Sequence, residues 1–223
     1  MQKQKINYLV LQSSYDQIEI SLFEDSQKIR DSKLSKFTAS SGLIPLIQST
    51  LEQENLMLKD LNFICANTGP APFTTLRTTI VTVNGIGYTT NLPLVGVNGL
   101  QTFTKQVMPD CQNVAVILNA FNRSVYFGIR SAGQVTYGWQ PIDRFINHLK
   151  TIFGSQPVIM IGQGLSSYTP ELQILPSNFI IDFTGPQFPN IDLIAQAGLI
   201  LYLEQKTQKA LAPLYLKQAE PFN

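Results

Sequence analysis

The chain has 223 residues and a net charge of +1, and only 14% of its residues are Asp, Glu, Lys or Arg, against roughly 25% in an average soluble domain. Lysines and arginines are scattered, which argues against autonomous binding to nucleic acid, because that requires a concentrated basic face. Hydrophobic residues make up 44%, enough for real cores, yet no unbroken apolar run approaches the ~20 residues that a membrane helix needs.

Met1-Gln2-Lys3-Gln4-Lys5-Ile6 leads into a strand-like run rather than a signal-peptide core, so a cytoplasmic protein with no membrane contact is expected. Ile6 to Ser14 reads as a buried strand, and Gln17 to Glu24 (QIEISLFE) alternates as a half-buried strand does. The short turn between them predicts an antiparallel hairpin, with a third strand at Gln27 to Ser32. Thr38 to Glu54 carries Leu43, Leu46, Ile47 and Leu51 at helical spacing, with Pro45 expected in the first turn. Leu61 to Ala66 is a further strand.

Asn67 to Tyr88 (NTGPAPFTTLRTTIVTVNGIGY) sets two signals against each other. Its β-branched run of Thr74, Thr75, Thr78, Thr79, Ile80, Val81, Thr82 and Val83 favours a strand by propensity. Phe73, Leu76, Ile80, Val83 and Gly87 recur three or four apart, and the spacing predicts a helix. Gly85 and Gly87 weaken such a helix by about 1 kcal/mol each, so each is expected to pack closely on another backbone. No Gly-Lys pair follows the loop, which removes the phosphate-loop reading. Gly69-Pro70 is then expected to aim the helix, with Phe73 stapling it to the core.

Pro93 to Val97 is a short strand, Asn98 to Val107 a short helix, and Pro109-Asp110 the expected lobe boundary, dividing the chain into 1–108 and 109–223. The second half repeats the pattern. Strands at Asn113–Asn119, Ser124–Arg130 and Gln134–Trp139 precede a helix started by Pro141, then a strand at Val158–Ile161 ending in Gly162-Gln163-Gly164. Phe179–Phe183 is the last strand, and Ile191–Glu204 is the last helix, expected to pack back on the first lobe. Both halves run three strands, helix, strand. Cys65 and Cys111 lack paired spacing, so buried free thiols are expected. The single histidine, His148, reads as a core-edge residue and excludes a multi-histidine metal centre.

A duplicated lobe of this order resembles the actin-like (ribonuclease H-like) and sugar-kinase superfamily, an α/β fold of two lobes, each a mixed sheet opening with three antiparallel strands. Within it, Thr68-Gly69-Pro70-Ala71-Pro72-Phe73-Thr74-Thr75-Leu76-Arg77 is similar to the Gly-Pro-Gly-Ser-Phe-Thr-Gly-Leu-Arg signature of the TsaB (YeaZ) family. Asn91 to Leu100 resembles that family's "lPligvstL" segment, Val114 to Tyr126 its "DARrgeVY" strand pair, and Pro213-Leu214-Tyr215-Leu216-Lys217 its "P-x-Y-L-R". The resemblance implies a non-catalytic subunit in the synthesis of N6-threonylcarbamoyladenosine (t6A) on tRNA. It would be paired with a TsaD-like catalytic subunit through helices of the first lobe, with a TsaE-like ATPase joining and tRNA met only through the complex.

The chain departs from its relatives where chemistry would sit. Nucleotide-hydrolysing members of the superfamily end each lobe's first strand in a carboxylate, because Mg²⁺ favours anionic oxygen and an amide cannot act as a base. Gln12 and Asn119 occupy those positions, and Ala39-Ser40-Ser41-Gly42-Leu43-Ile44-Pro45 stands for the family's "HSE-LLP" without its His or Glu. Neither Ser13-Ser14 nor Ser40-Ser41 lies in a nucleophile elbow. Gly162 and Gly164 resemble the adenosine-side turn of the nucleotide-binding relatives, but a bare Gly-x-Gly reads as a structural turn. Gln12, Asn119, Gly162 and Gly164 together form a degenerate nucleotide site. No cofactor, metal or catalytic residue is expected. Leu43, Leu46, Ile47, Thr74, Arg77 and Thr78 are the expected partner interface, with Arg77 bonding loop carbonyls or a partner carboxylate. The rivals are a small ATP-binding kinase or ATPase drawing on Asp16 or Asp182, and a diverged homodimer without the t6A role.

Overall fold

The structure, a computed structural model, describes residues 5–217. In chain order the elements begin with β1 (Asn7–Ser13), β2 (Gln17–Glu24) and β3 (Gln27–Ser35), an antiparallel meander. β3 runs three residues past the expected Ser32 because its alternation of exposed and half-buried side chains, Lys28 to Lys33 included, suits a charged sheet edge. After a single 3₁₀ turn, α1 (Ala39–Glu52) follows, then β4 (Phe63–Asn67), α2 (Phe73–Thr90) and β5 (Leu94–Val97). Pro45 falls in the second turn of α1 rather than the first. It sits on the exposed face, where water can satisfy the carbonyl that it leaves unpaired.

Next come α3 (Gly99–Gln106), β6 (Val114–Asn119), β7 (Ser124–Ser131), β8 (Gln134–Pro141), α4 (Ile142–Phe153) and β9 (Val158–Ile161). Two single-turn helices, α5 (Gly164–Ser167) and α6 (Thr169–Leu172), precede β10 (Phe179–Ile181), and α7 (Ile191–Leu203) closes the series. The two sheets share one strand order. The first is β3-β2-β1-β4-β5 and the second, read from its β8 edge, is β8-β7-β6-β9-β10. In each, the first strand is antiparallel to the second and parallel to the fourth.

By packing, the chain forms two units. The first runs to Gly99 and takes back Asn190–Leu214, while the second holds Leu100–Pro189 and the chain from Tyr215. This division differs from the expected halves 1–108 and 109–223. Leu100, Phe103 and Val107 pack on Val114, Val116 and Leu118 of β6, so α3 belongs with the strand that follows it.

In the first unit, Leu9, Leu11, Ile20 and Ile64 face Leu43, Ile47, Leu76 and Ile80 of α1 and α2. The opposite face sends Tyr8, Val10, Phe63 and Val95 to Ile191 and Ile194 of α7. Phe23, Tyr8, Phe63 and Tyr202 stack in a row there, with ring centroids 5.3, 4.5 and 4.3 Å apart. Gly198 lets α7 approach Cys65, whose thiol a Cβ at that position would overlap. In the second unit, α4 covers one face of β6 and β7 through Phe145, Ile146 and Leu149, and α3 covers the other. None of the described helices is long and apolar enough to cross a membrane.

Candidate functional site

Gln12 and Asn67 stand at the C-terminal ends of β1 and β4, neighbouring parallel strands, and both are buried. Asn67 Nδ2 donates to Gln12 Oε1 at 3.0 Å, and Asn67 Oδ1 accepts from the Gly69 amide at 2.9 Å. Gln12 Nε2 in turn donates to Glu19 Oε2 across the hairpin at 3.4 Å. Gly99, opening α3, leaves room for the Asn67 amide, into which a Cβ there would run. The first strand end is thus held by two neutral amides, which bond to each other, to backbone and, through Gln12, to the Glu19 carboxylate on the neighbouring strand. Such groups hold a loop well, but they neither take a substrate proton nor offer Mg²⁺ an anionic oxygen.

The second unit repeats the arrangement with other residues. Asn119 Oδ1 accepts from the Phe121 amide at 2.8 Å and the Tyr168 hydroxyl at 3.1 Å, while Asn119 Nδ2 donates to Ser167 Oγ at 3.2 Å. The single Tyr168 O–H is shared with the Ser124 carbonyl at 2.8 Å, the shorter of the two contacts, and burial raises the phenol above its usual value. Gly162 has φ +110, and a Cβ on it would collide with the Ile117 carbonyl; one on Gly164 would lie 2.8 Å from Ile117 Cγ2. Between them Gln163 Oε1 accepts from the Asn119 amide at 3.3 Å. The Gly-x-Gly therefore lets the β9–α5 turn close against β6 and ties it to Asn119.

Neither spare aspartate makes up for these amides. Asp182 Oδ1 accepts from the Thr184 amide, the Thr184 hydroxyl and the Gly185 amide at 2.9, 2.8 and 2.9 Å, bonds that hold its carboxyl below the ordinary value. Asp16 has 92% of its side chain exposed, 3.9 Å from Lys36. His148 turns edge-on to Phe127 with centroids 5.7 Å apart. Among the described residues no cluster of three or more His, Cys, Asp or Glu is placed to hold a metal ion.

The expected interface divides. Leu43 and Ile47 are 1% and 3% exposed and belong to the core beneath α1 and α2, so they cannot touch a partner, and Leu46 is half-buried against the same cluster. Thr74 and Arg77 lie on the exposed face of α2, with Thr78 half-buried beside them. The Arg77 guanidinium lies 3.6 Å from the Phe73 ring centroid. Phe73 itself is about half exposed, so it stacks under Arg77 rather than stapling the helix to the core. The apolar side chains that do face outward are Ile44 on α1 and Val81 and Tyr88 on α2, at 63%, 68% and 86% exposure. Gly87 approaches the Leu94 side chain, 2.9 Å from where its Cβ would be, rather than a backbone. Gly85 faces open space, and nothing in the chain accounts for it.

The stripe of Leu76, Ile80, Val83 and Gly87 is buried as its spacing requires. Thr75 and Thr79 join it because their hydroxyls donate to the Pro72 and Thr75 carbonyls at 3.0 Å, leaving methyl groups for the core.

Fold and site together define an α/β protein of two like units, with an amide side chain, Gln12 or Asn119, at the end of each unit's first strand. The sequence model of the family described as TsaD, tRNA N6-adenosine threonylcarbamoyltransferase, matches residues 38–212, and the chain belongs to that family. It is 22% identical to the tRNA threonylcarbamoyladenosine biosynthesis protein TsaB of Haemophilus influenzae over 96% of this chain and 94% of that one. The TsaB protein of Buchnera aphidicola subsp. Baizongia pistaciae is 23% identical, over 94% and 97% of the two chains. Among solved structures, YeaZ from Pseudomonas aeruginosa superposes with a TM-score of 0.72 over 95% of this chain and all of that one, at 18% identity, a likeness of fold.

Proposed function

We propose that the protein is a non-catalytic TsaB-type subunit of the machinery that makes t6A on tRNA, and that it supports a TsaD-like catalytic subunit through α1 and α2. The family membership supplies the pathway. The observation that carries the non-catalytic role is the hydrogen-bonded amide pair Gln12–Asn67, which fills the first strand end with groups unable to do acid–base work. Ile44, Val81 and Tyr88 are the residues that meet the partner, with Arg77 at the rim. Their setting of Ser40, Ser41, Gln48 and Thr74 is almost free of charge, so little desolvation of ions opposes association. A TsaE-like ATPase joins this pair, and tRNA is reached only through it.

Co-expression of the full chain with the TsaD-like protein of the same organism tests the reading. Co-purification is expected, and Ile44→Glu with Val81→Glu abolishes it while leaving thermal stability nearly unchanged, because both side chains are already in water. A chain that never associates, beside a TsaD-like protein that modifies tRNA unaided, ends the proposal. Calorimetry with ATP and Mg²⁺ separates it from an ATPase of the same fold, and the oligomeric state of the purified chain from a homodimer.

A further inference from the structure

The last described residues pack on the second unit, and the cation they carry is held in a particular way. Lys217 Nζ reaches three oxygens of a single turn: the Ala120 and Phe121 carbonyls at 3.4 and 3.3 Å and Ser124 Oγ at 3.4 Å. It lies 5.8 Å from the ring centroid of Trp139, the chain's single tryptophan. Leu216, just before it, packs half-buried against the cluster of Leu100, Phe103 and Val114.

The gripped turn is unusual. Phe121, Asn122 and Arg123 stand in succession at φ 55°, 49° and 50°, the left-handed region that L-residues other than glycine disfavour. Rigid elements hold its other sides. Asn119 accepts from the Phe121 amide, Ile142 N donates to the Arg123 carbonyl at 2.9 Å, and Arg123 pairs with Glu171 at 3.0 Å. Ser124 Oγ donates to the Asn122 carbonyl at 3.1 Å, which leaves its lone pairs for a donor. What remains is a side lined by carbonyl and hydroxyl oxygens beside an aromatic face, the donor set of an ammonium or monovalent-cation site.

We propose that residues 215–217 are a strap and that the Lys217 ammonium is a tethered cation that locks the 121–123 turn. With the strap seated, the three oxygens have a donor and the ammonium lies over one side of half-buried Trp139. With it lifted, the turn loses its lock and that side of Trp139 meets water. The proposal stands on the second unit alone, so it survives or fails independently of any role in t6A synthesis.

Hydrogen exchange by mass spectrometry on the full chain tests it. Lys217→Met is expected to speed exchange in peptides spanning 119–125 about tenfold. Helix α4 keeps its wild-type protection, and Trp139 emission moves to the red. Lys217→Arg retains protection. Ammonium chloride slows the exchange of the Met variant again, and tetramethylammonium chloride at the same ionic strength does not, because it has no N–H to donate. Wild-type exchange in Lys217→Met overturns the strap, as does loss of protection spread through the whole unit. Failure of ammonium to restore protection, or equal rescue by tetramethylammonium, overturns the tethered cation.

Discussion

Arg130 allows a severe test of how the second unit is held together. It is 8% exposed, with no carboxylate among its hydrogen-bond partners in the described residues; its guanidinium donates instead to the Thr104, Lys105, Met108 and Cys111 carbonyls at 3.0, 2.8, 2.5 and 2.9 Å. Two of these close the C-terminal end of α3, where a cation also meets the negative end of the helix dipole, and two fix the connector into β6. Arg130→Met removes four charge-assisted bonds. Bonds of this type contribute about 1.5–3 kcal/mol each in isolation, and they are not additive. Of the four acceptors only Thr104 is a buried residue; Lys105 is exposed and Met108 and Cys111 are half-buried, where water can partly replace the guanidinium, so the net loss is set mainly by the Thr104 bond with a smaller share from the rest, at about 3 kcal/mol in all. Arg130→Lys keeps the charge but cannot span both pairs, and its loss is about half as large. Urea unfolding followed by Trp139 emission reports on this unit, and at an m-value of about 2 kcal/mol/M the midpoint of the Met variant falls by about 1.5 M. A fall under about 0.4 M, or equal falls for Met and Lys, would refute the clamp.

Gly198→Ala drives a methyl into Cys65 Sγ and is expected to cost about 1–2 kcal/mol net of the helix propensity gained; Cys65→Ala in the same chain makes the room, so additive thermal shifts would count against the contact. Asp182 has a carboxyl held below its unfolded value, so the stability that its turn bonds contribute is present above the unfolded value and lost as pH falls through the folded one. A carboxyl-carbon NMR titration should place Asp182 below the ordinary aspartate value, and Thr184→Val should bring it back toward that value. Gln12→Glu sets a buried carboxylate beside half-buried Glu19, so the variant should be about 1–3 kcal/mol less stable at neutral pH and recover as the medium is acidified toward the ordinary glutamate range. Equal thermal midpoints of variant and wild type across that range would show that the amide is not needed there.

Much of the architecture is legible in the sequence because the hydrophobic period and the duplication agree. The pattern places Val158–Ile161 to the residue and Ile191–Glu204 to within one, and α2 forms as its three-and-four spacing requires, against its β-branched propensity. Helix α2 accepts so many threonines because Thr75, Thr78, Thr79 and Thr90 bond back to its own carbonyls. What spacing does not reveal is facing. It marks Leu43 and Ile47 as one stripe of α1, but only packing tells that this stripe meets β1 and β2, while Ile44, one residue on from Leu43, points away. The single-turn helices α5 and α6 are too short to show a period, and the grouping of α3 with β6 depends on contacts that no local pattern announces.

The amides at the two strand ends are more than acids gone missing. Asn119 uses both of its polar atoms, accepting from Phe121 N, sharing the Tyr168 hydroxyl with the Ser124 carbonyl and donating to Ser167; an aspartate would keep the accepted bonds and reverse the last, with the Ser167 hydroxyl then the donor. Gln12 accepts from Asn67 on one side and donates to Glu19 on the other; a carboxylate there would keep the first bond, lose the second and set two carboxylates together, so the first strand end is the one at which an acid is costly. Selection for a folded docking surface can maintain such a network, whereas selection for nucleotide chemistry would act against it. Such a network is what the proposed non-catalytic role would leave in place, and the Gln12→Glu variant tests it directly.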